Sequence, residues 1–147
     1  MQRTKTRPTI LVIEDYPDSR HMLKLLLEDL GYRVLTAANG TDALVAVSNN
    51  QLDLVLTDFN LPDMTAPTVI RSLRQSGNGS AHIPIVVLTA VDAYEYRELA
   101  AEAGCDAFLS KPTDFPILEQ TLARLLAEGR PRKASPELFA WQEKSES

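Results

Sequence analysis

Cysteine is almost missing from this 147-residue chain; Cys105 is the only one. A single thiol closes no internal disulfide, and no metal-ligand pattern surrounds it, so it reads as a small buried apolar residue. That fits a reducing compartment. A basic excess is missing as well. Fifteen Lys and Arg stand against 20 Asp and Glu, a net charge of −5, which argues against direct nucleic-acid binding. Long apolar runs are also scarce. The basic start "MQRTKTRPT" is followed by four apolar residues, 10–13, and then by Glu14. Four residues are too few for a signal peptide's apolar region or a membrane span. The expected location is the cytoplasm, with no membrane contact.

What is present is enough for one core. Hydrophobic residues make up 44%, and the length suits a single compact domain. "TILVI", 9–13, is a continuous β-branched apolar run, the pattern of a strand buried on both faces. Pro17 suits the first turn of a following helix, Leu23, Leu26, Leu27 and Leu30 recur at helical spacing, and Gly31 suits its end. "YRVLTA", 32–37, is a second, more polar strand. Asn39 caps a second helix with Ala43, Leu44 and Val47 inward. "LDLVLT", 52–57, is the third strand, and Pro67 opens a third helix. "QSGNGSAH", 75–82, is a flexible loop by composition. "IPIVVLT", 83–89, a helix from about Asp92 to Gly104, "AFLS", 107–110, and a helix over 114–127 complete five βα units. Such alternation implies a parallel sheet with helices on both faces. The expected division is a basic tail over 1–8, the domain over 9–128, and a linker-like tail over 129–147 with a short helix at 135–141.

In a parallel sheet all carboxyl ends share one edge, and ligands bind there. The first strand ends in Glu14 and Asp15, the third in Asp58, the fourth in Thr89 and Ala90, and the fifth in Lys111 and Pro112. Three acids, a hydroxyl and a lysine therefore converge if these strands are neighbours. Glu14, Asp15 and Asp58 repel one another unless a cation sits among them, and hard oxygen ligands favour Mg²⁺. Asp58 is then placed to attack a phosphoryl group. Lys111 would neutralise the transferring oxygens, and the Thr89 hydroxyl would donate to one of them. The plainer alternative for Asp58 is a turn or cap aspartate, for Lys111 a solvated lysine, for Thr89 a β-former, and for Phe108 ordinary core. His21 reads as an exposed helix position.

Taken together, the pair Glu14-Asp15, the segment "TDFNLPDM" around Asp58, "LTA" at 88–90 and "KP" at 111–112 resemble the receiver domain of two-component response regulators over about residues 9–128. The resemblance implies a flavodoxin-like (βα)5 sandwich with strand order 2-1-3-4-5. It implies phosphorylation of Asp58 by a sensor histidine kinase or a histidine phosphotransfer protein. It further implies Mg²⁺ held by Asp15, Asp58 and the Asn60 carbonyl, with Glu14 acting through water, and Phe108 as a switch aromatic that moves inward when Thr89 is drawn to the phosphoryl group.

Two departures stand out. Ala66 occupies a place that is Gly in many receivers, so the backbone there must avoid positive φ or carry strain, and a differently shaped loop is open. Glu14 stands where Asp is commoner.

The output expected of a single-domain receiver is a downstream protein contact over 92–127, including Tyr94, Tyr96 and Arg97, with a homodimer also open. Rival readings are a non-phosphorylated scaffold, a receiver cut from a DNA-binding regulator, and a flavin carrier on the same fold. The acidic "EDYPDSR" after the first strand disfavours the flavin carrier. In the tail, Leu138, Phe139 and Trp141 suggest docking. Blue-shifted emission from Trp141, lost on cleavage after Lys133, is the result docking requires; a water-like spectrum removes the idea.

Overall fold

The protein is described from a computed structural model covering residues 7–76, 79–91 and 94–130. The tail helix expected at 135–141 and most of the basic start lie outside the described residues. The element order is β1 (Thr9–Ile13), α1 (Pro17–Asp29), β2 (Arg33–Ala37), α2 (Gly40–Asn49), β3 (Leu54–Asp58), α3 (Ala66–Arg74), β4 (Ile85–Thr89), α4 (Tyr94–Ala103), β5 (Ala107–Ser110) and α5 (Phe115–Glu128). The strands form one parallel sheet in the order β2-β1-β3-β4-β5. The expected flavodoxin-like (βα)5 arrangement is the observed one.

Strand alternation divides the core into two layers. Leu11, Ile13, Val55, Ile85, Val87 and Phe108 face α2, α3 and α4. Ile10, Val12, Leu54, Leu56, Val86, Leu88, Ala107 and Leu109 face α1 and α5, meeting Leu23, Leu27, Leu118, Leu122 and Leu125. Because both faces are covered, the central strands are apolar at nearly every position, which is why they read as continuous runs.

The helix ends follow their sequence signals. Asn39 accepts from the Asp42 N–H, and Asp114 accepts from the Ile117 N–H. Gly31 and Gly104, at φ 102° and 115°, take the left-handed conformation that lets the chain turn out of α1 and α4. Ala66 is the first residue of α3, wholly buried, and no residue other than Gly has positive φ among those described. The chain therefore meets the Ala66 departure by avoiding positive φ, and the backbone is unstrained there.

Several boundaries shift by a residue or two, as at β3, which starts at Leu54 instead of 52; the stretch before β4 differs for a definite reason. The expected loop at 75–82 contains a 3₁₀ turn over Gly79–His82, and β4 starts at Ile85 instead of 83. The cause is Arg74. Its guanidinium donates to the carbonyls of Ala81, Ile83 and Gly104, at 3.2, 2.6 and 2.7 Å, so these carbonyls have partners outside the sheet. Pro84 adds no N–H to the ladder.

The same guanidinium reaches Asp106 Oδ2 at 2.9 Å, Arg130 reaches Oδ1 at 2.8 Å, and the Ile85 N–H also donates to Oδ2. Asp106 is thus a buried carboxylate with two cations and an amide on it, at the sheet edge opposite the strand carboxyl ends. Asp106→Ala leaves both guanidiniums facing each other. It should cost about 3 kcal/mol or more in urea unfolding, the usual result of breaking a buried ion pair from one side.

Candidate functional site

The parallel register brings the strand ends together. β1 and β4 flank β3, and β5 follows β4, so the residues after Ile13, Thr57, Leu88 and Ser110 share one edge. Carboxylate oxygens of Glu14, Asp15 and Asp58 lie within 4.8 Å of one another. Lys111, from the far strand, reaches across β4: its Nζ lies 2.8 Å from Glu14 Oε1 and 3.0 Å from Asp58 Oδ1. Four of the residues named from sequence are therefore in one cluster.

Each group is fixed by its own support. Glu14 is buried, and its other oxygen, Oε2, accepts the Tyr16 N–H at 3.1 Å. Both of its carboxylate oxygens thus face protein donors, which suits contact with a metal through water rather than directly. The Lys111 N–H is held by the Thr89 carbonyl at 2.7 Å, and the Lys111–Pro112 bond is cis. Thr89 is buried. Its Oγ1 accepts the Val91 N–H at 3.1 Å, so the hydroxyl stays at the mouth of its own loop, one strand from Asp58.

Asn60 is exposed at the start of the β3–α3 loop and pairs with Thr65 across it. Phe108 is wholly buried, in register with Val87. Its ring lies within the core shared by β3, β4, α3 and α4.

Three supports were not read from sequence. Arg20 donates to the carbonyls of Glu14 and Asp15, at 3.0 and 3.3 Å, and braces the acidic turn from α1. The Phe59 ring, directly after Asp58, stacks on Tyr96 of α4 with centroids 4.3 Å apart and planes 8° from parallel. Tyr96 therefore turns inward, while Tyr94, expected beside it on a contact surface, is exposed. Asp63 reaches α2. The arginine left no signal, since one charge on an amphipathic helix looks like any solvated charge; the aromatic pair spans 37 positions with no spacing rule between them.

Electrostatics follow from this packing. Burial, and after it the neighbouring Glu14, push the Asp58 carboxyl up while Lys111 pulls it down; the balance raises it from 3.8 to about 6. Burial works against the charged Lys111 amine, but its bonds to Glu14 and Asp58 outweigh that and hold it above its ordinary value. Cys105 is buried, and desolvation lifts its thiol to about 12, which matches the inert role read for it.

Hard oxygen donors at this separation fit Mg²⁺. The set Glu14, Asp15 and Asp58 carries three negative charges against one from Lys111, so a divalent cation would relieve the surplus.

A raised carboxyl pKa means the native state holds this proton more tightly than the unfolded chain. Stability from Asp58 is then present below about pH 4, declines as pH rises toward 6, and is level above it. In buffer with a metal chelator, Asp58→Asn should therefore be more stable than the native sequence at pH 7. The gain is at most about 3 kcal/mol, since one pKa unit is about 1.4 kcal/mol, and it should vanish near pH 4. Urea unfolding at the two pH values reads this directly; an equal difference at both would refute it.

Among the described residues, no helix is long and apolar enough to cross a membrane. The family model for the response regulator receiver domain matches residues 10–123. The chain is 40% identical over 114 residues to the sensor histidine kinase RcsC of Salmonella typhimurium, covering 78% of this chain and 12% of that protein. It is 36% identical over 129 residues to the transcriptional regulatory protein KdpE of Mycobacterium tuberculosis, covering 88% of this chain and 54% of that one. It thus spans about an eighth and about half of these two relatives. Among solved structures, the receiver domain of the sensor histidine kinase PA1611 from Pseudomonas aeruginosa PAO1 superposes with a TM-score of 0.77 at 30% identity, covering 84% of this chain and 100% of that one. That structure has a magnesium ion coordinated in its active site cleft. With the fold, the strand-end cluster and the family match in agreement, this chain belongs to the response regulator receiver domain family.

Proposed function

We propose that this chain accepts a phosphoryl group on Asp58 from a phosphohistidine and releases it later by hydrolysis. The observation that carries this is the Lys111 ammonium seated 3.0 Å from the Asp58 carboxylate, with Glu14 and Asp15 closing the cluster. In the transfer, an Asp58 carboxylate oxygen forms a bond to phosphorus, and the phosphorus–nitrogen bond to the donor imidazole breaks. The imidazole keeps the electron pair and takes a proton from water. The product is an acyl phosphate.

Asp15, Asp58 and the Asn60 carbonyl, with Glu14 through water, would hold Mg²⁺, whose charge offsets that of the phosphoryl oxygens. Lys111 lies on the other flank and supplies a fixed positive charge that needs no rearrangement during the reaction. Thr89 turns its hydroxyl from the Val91 amide toward the new phosphoryl oxygens, and this moves the loop that leads into α4. Tyr96, stacked on Phe59, ties that helix to the residue next to Asp58. The surface altered by the exchange is that of α4, β5 and α5, where Tyr94, Leu99 and Phe115 are exposed.

The partners on this reading are a sensor histidine kinase or histidine phosphotransfer protein on the donor side and a downstream protein on the other. The compartment is the cytoplasm.

Incubation with acetyl phosphate and Mg²⁺, read by intact mass, should add one phosphoryl group to the native chain and none to Asp58→Ala. No gain in either would leave the scaffold reading in its place. Val91, aliphatic and exposed beside Thr89, offers the attacking water no polar partner, so the phosphorylated form should decay slowly. A lifetime of seconds in buffer would contradict this.

A further inference from the structure

The β3–α3 loop, Phe59 to Thr65, is closed on itself. The Ala66 N–H bonds the Phe59 carbonyl at 2.7 Å, the Leu61 N–H bonds the Met64 carbonyl at 3.1 Å, and Asn60 pairs with Thr65. These bonds set its shape, and the Phe59 N–H, donating to the Leu88 carbonyl at 2.9 Å, anchors its first residue to β4; its far side needs a link of its own. Asp63 supplies that link. Its Oδ1 accepts the Gly40 N–H at 2.8 Å, and its Oδ2 accepts the Thr41 N–H at 2.9 Å and the Thr41 hydroxyl at 2.7 Å. Beside it, the Met64 side chain lies so close to Gly40 that a Cβ there would collide with it.

The amide accounting at the start of α2 shows why this is more than a helix cap. A helix start leaves its first amides without intrahelical partners. Asn39, the cap supplied by the helix's own sequence, already takes the Asp42 N–H. Asp63 takes the two amides before it, from 22 and 23 residues away. The negative carboxylate also sits at the positive end of the helix dipole. Those bonds hold the Asp63 carboxyl down at about 2, so the link stays ionised across the whole range in which Asp58 titrates.

We propose that Asp63 is a positioning residue for the metal site: its link to Gly40 and Thr41 of α2 holds the β3–α3 loop where the Asn60 carbonyl serves as a ligand. This rests on the phosphoacceptor reading above, in which that carbonyl faces Mg²⁺. Asp63 itself touches neither metal nor phosphoryl group. Thr41 contributes one leg of the link, and Gly40 is needed small so that Met64 packs against it.

The test is Mg²⁺ binding to the full chain by calorimetry, which needs no phosphorylation. Asp63→Ala should weaken binding about tenfold, the ordinary cost of losing an outer-sphere support. Asp63→Asn, which keeps an acceptor oxygen, should recover part of the loss, and Thr41→Val should fall between it and the native chain. Asn39→Ala removes the helix's own cap, so it should lower the unfolding temperature and leave Mg²⁺ affinity within about twofold. Native affinity in Asp63→Ala, or an equal loss in Asn39→Ala, overturns the positioning role. Failure of the native chain to bind Mg²⁺ overturns the phosphoacceptor reading instead, and the positioning role with it.

Discussion

The structure turns on one ammonium group placed between two carboxylates. Lys111 closes a triangle with Glu14 and Asp58 that joins the ends of β1, β3 and β5, residues up to 97 positions apart. Without a cation there, three carboxylates within 4.8 Å would repel one another and raise the cost of closing the sheet's carboxyl edge. With it, one negative charge is answered and two remain. The remaining charge is what a divalent ion would offset, and burial is the main force that raises the Asp58 carboxyl.

The two edges of the sheet solve opposite charge problems. At the amino edge, one buried carboxylate, Asp106, has two guanidiniums, and its charge is more than balanced. At the carboxyl edge, three carboxylates share one amine. The first arrangement is closed and serves stability, fixing α3, the 3₁₀ turn, β4 and the end of α5 around Arg74. The second is open at its solvent side, where Asp15 is exposed, as the proposed phosphoryl transfer requires.

The segment after Asp58 connects this open edge to two helices on the same face of the sheet. Phe59 stacks on Tyr96 of α4, and Asp63 holds the start of α2. A change at Asp58 is therefore adjacent to both, through contacts that are packed or charged rather than through the backbone alone. The exposed Tyr94 lies two residues from Tyr96 on α4, about half a turn around the helix.

The sequence by itself determined the element order, the parallel sheet and the identity of the strand-end groups. Those depend on local rules: β-branched runs, helical leucine spacing, Asn39 as a cap, and glycines where φ turns positive. Charges ending buried strands could be read for the same reason, because a polar residue there is visible against an apolar run. Tertiary structure alone decided which carboxylate Lys111 engages, that both oxygens of Glu14 are met by donors, that Phe108 lies inward, and that Arg74 orders a stretch whose composition reads as loop. It also decided the partners of Arg20, Tyr96 and Asp63. Each of these depends on the distance and direction between side chains on separate elements, which composition and periodicity do not encode. An arginine on a helix or an aspartate in a turn looks the same in the chain whether it meets water or another element's backbone.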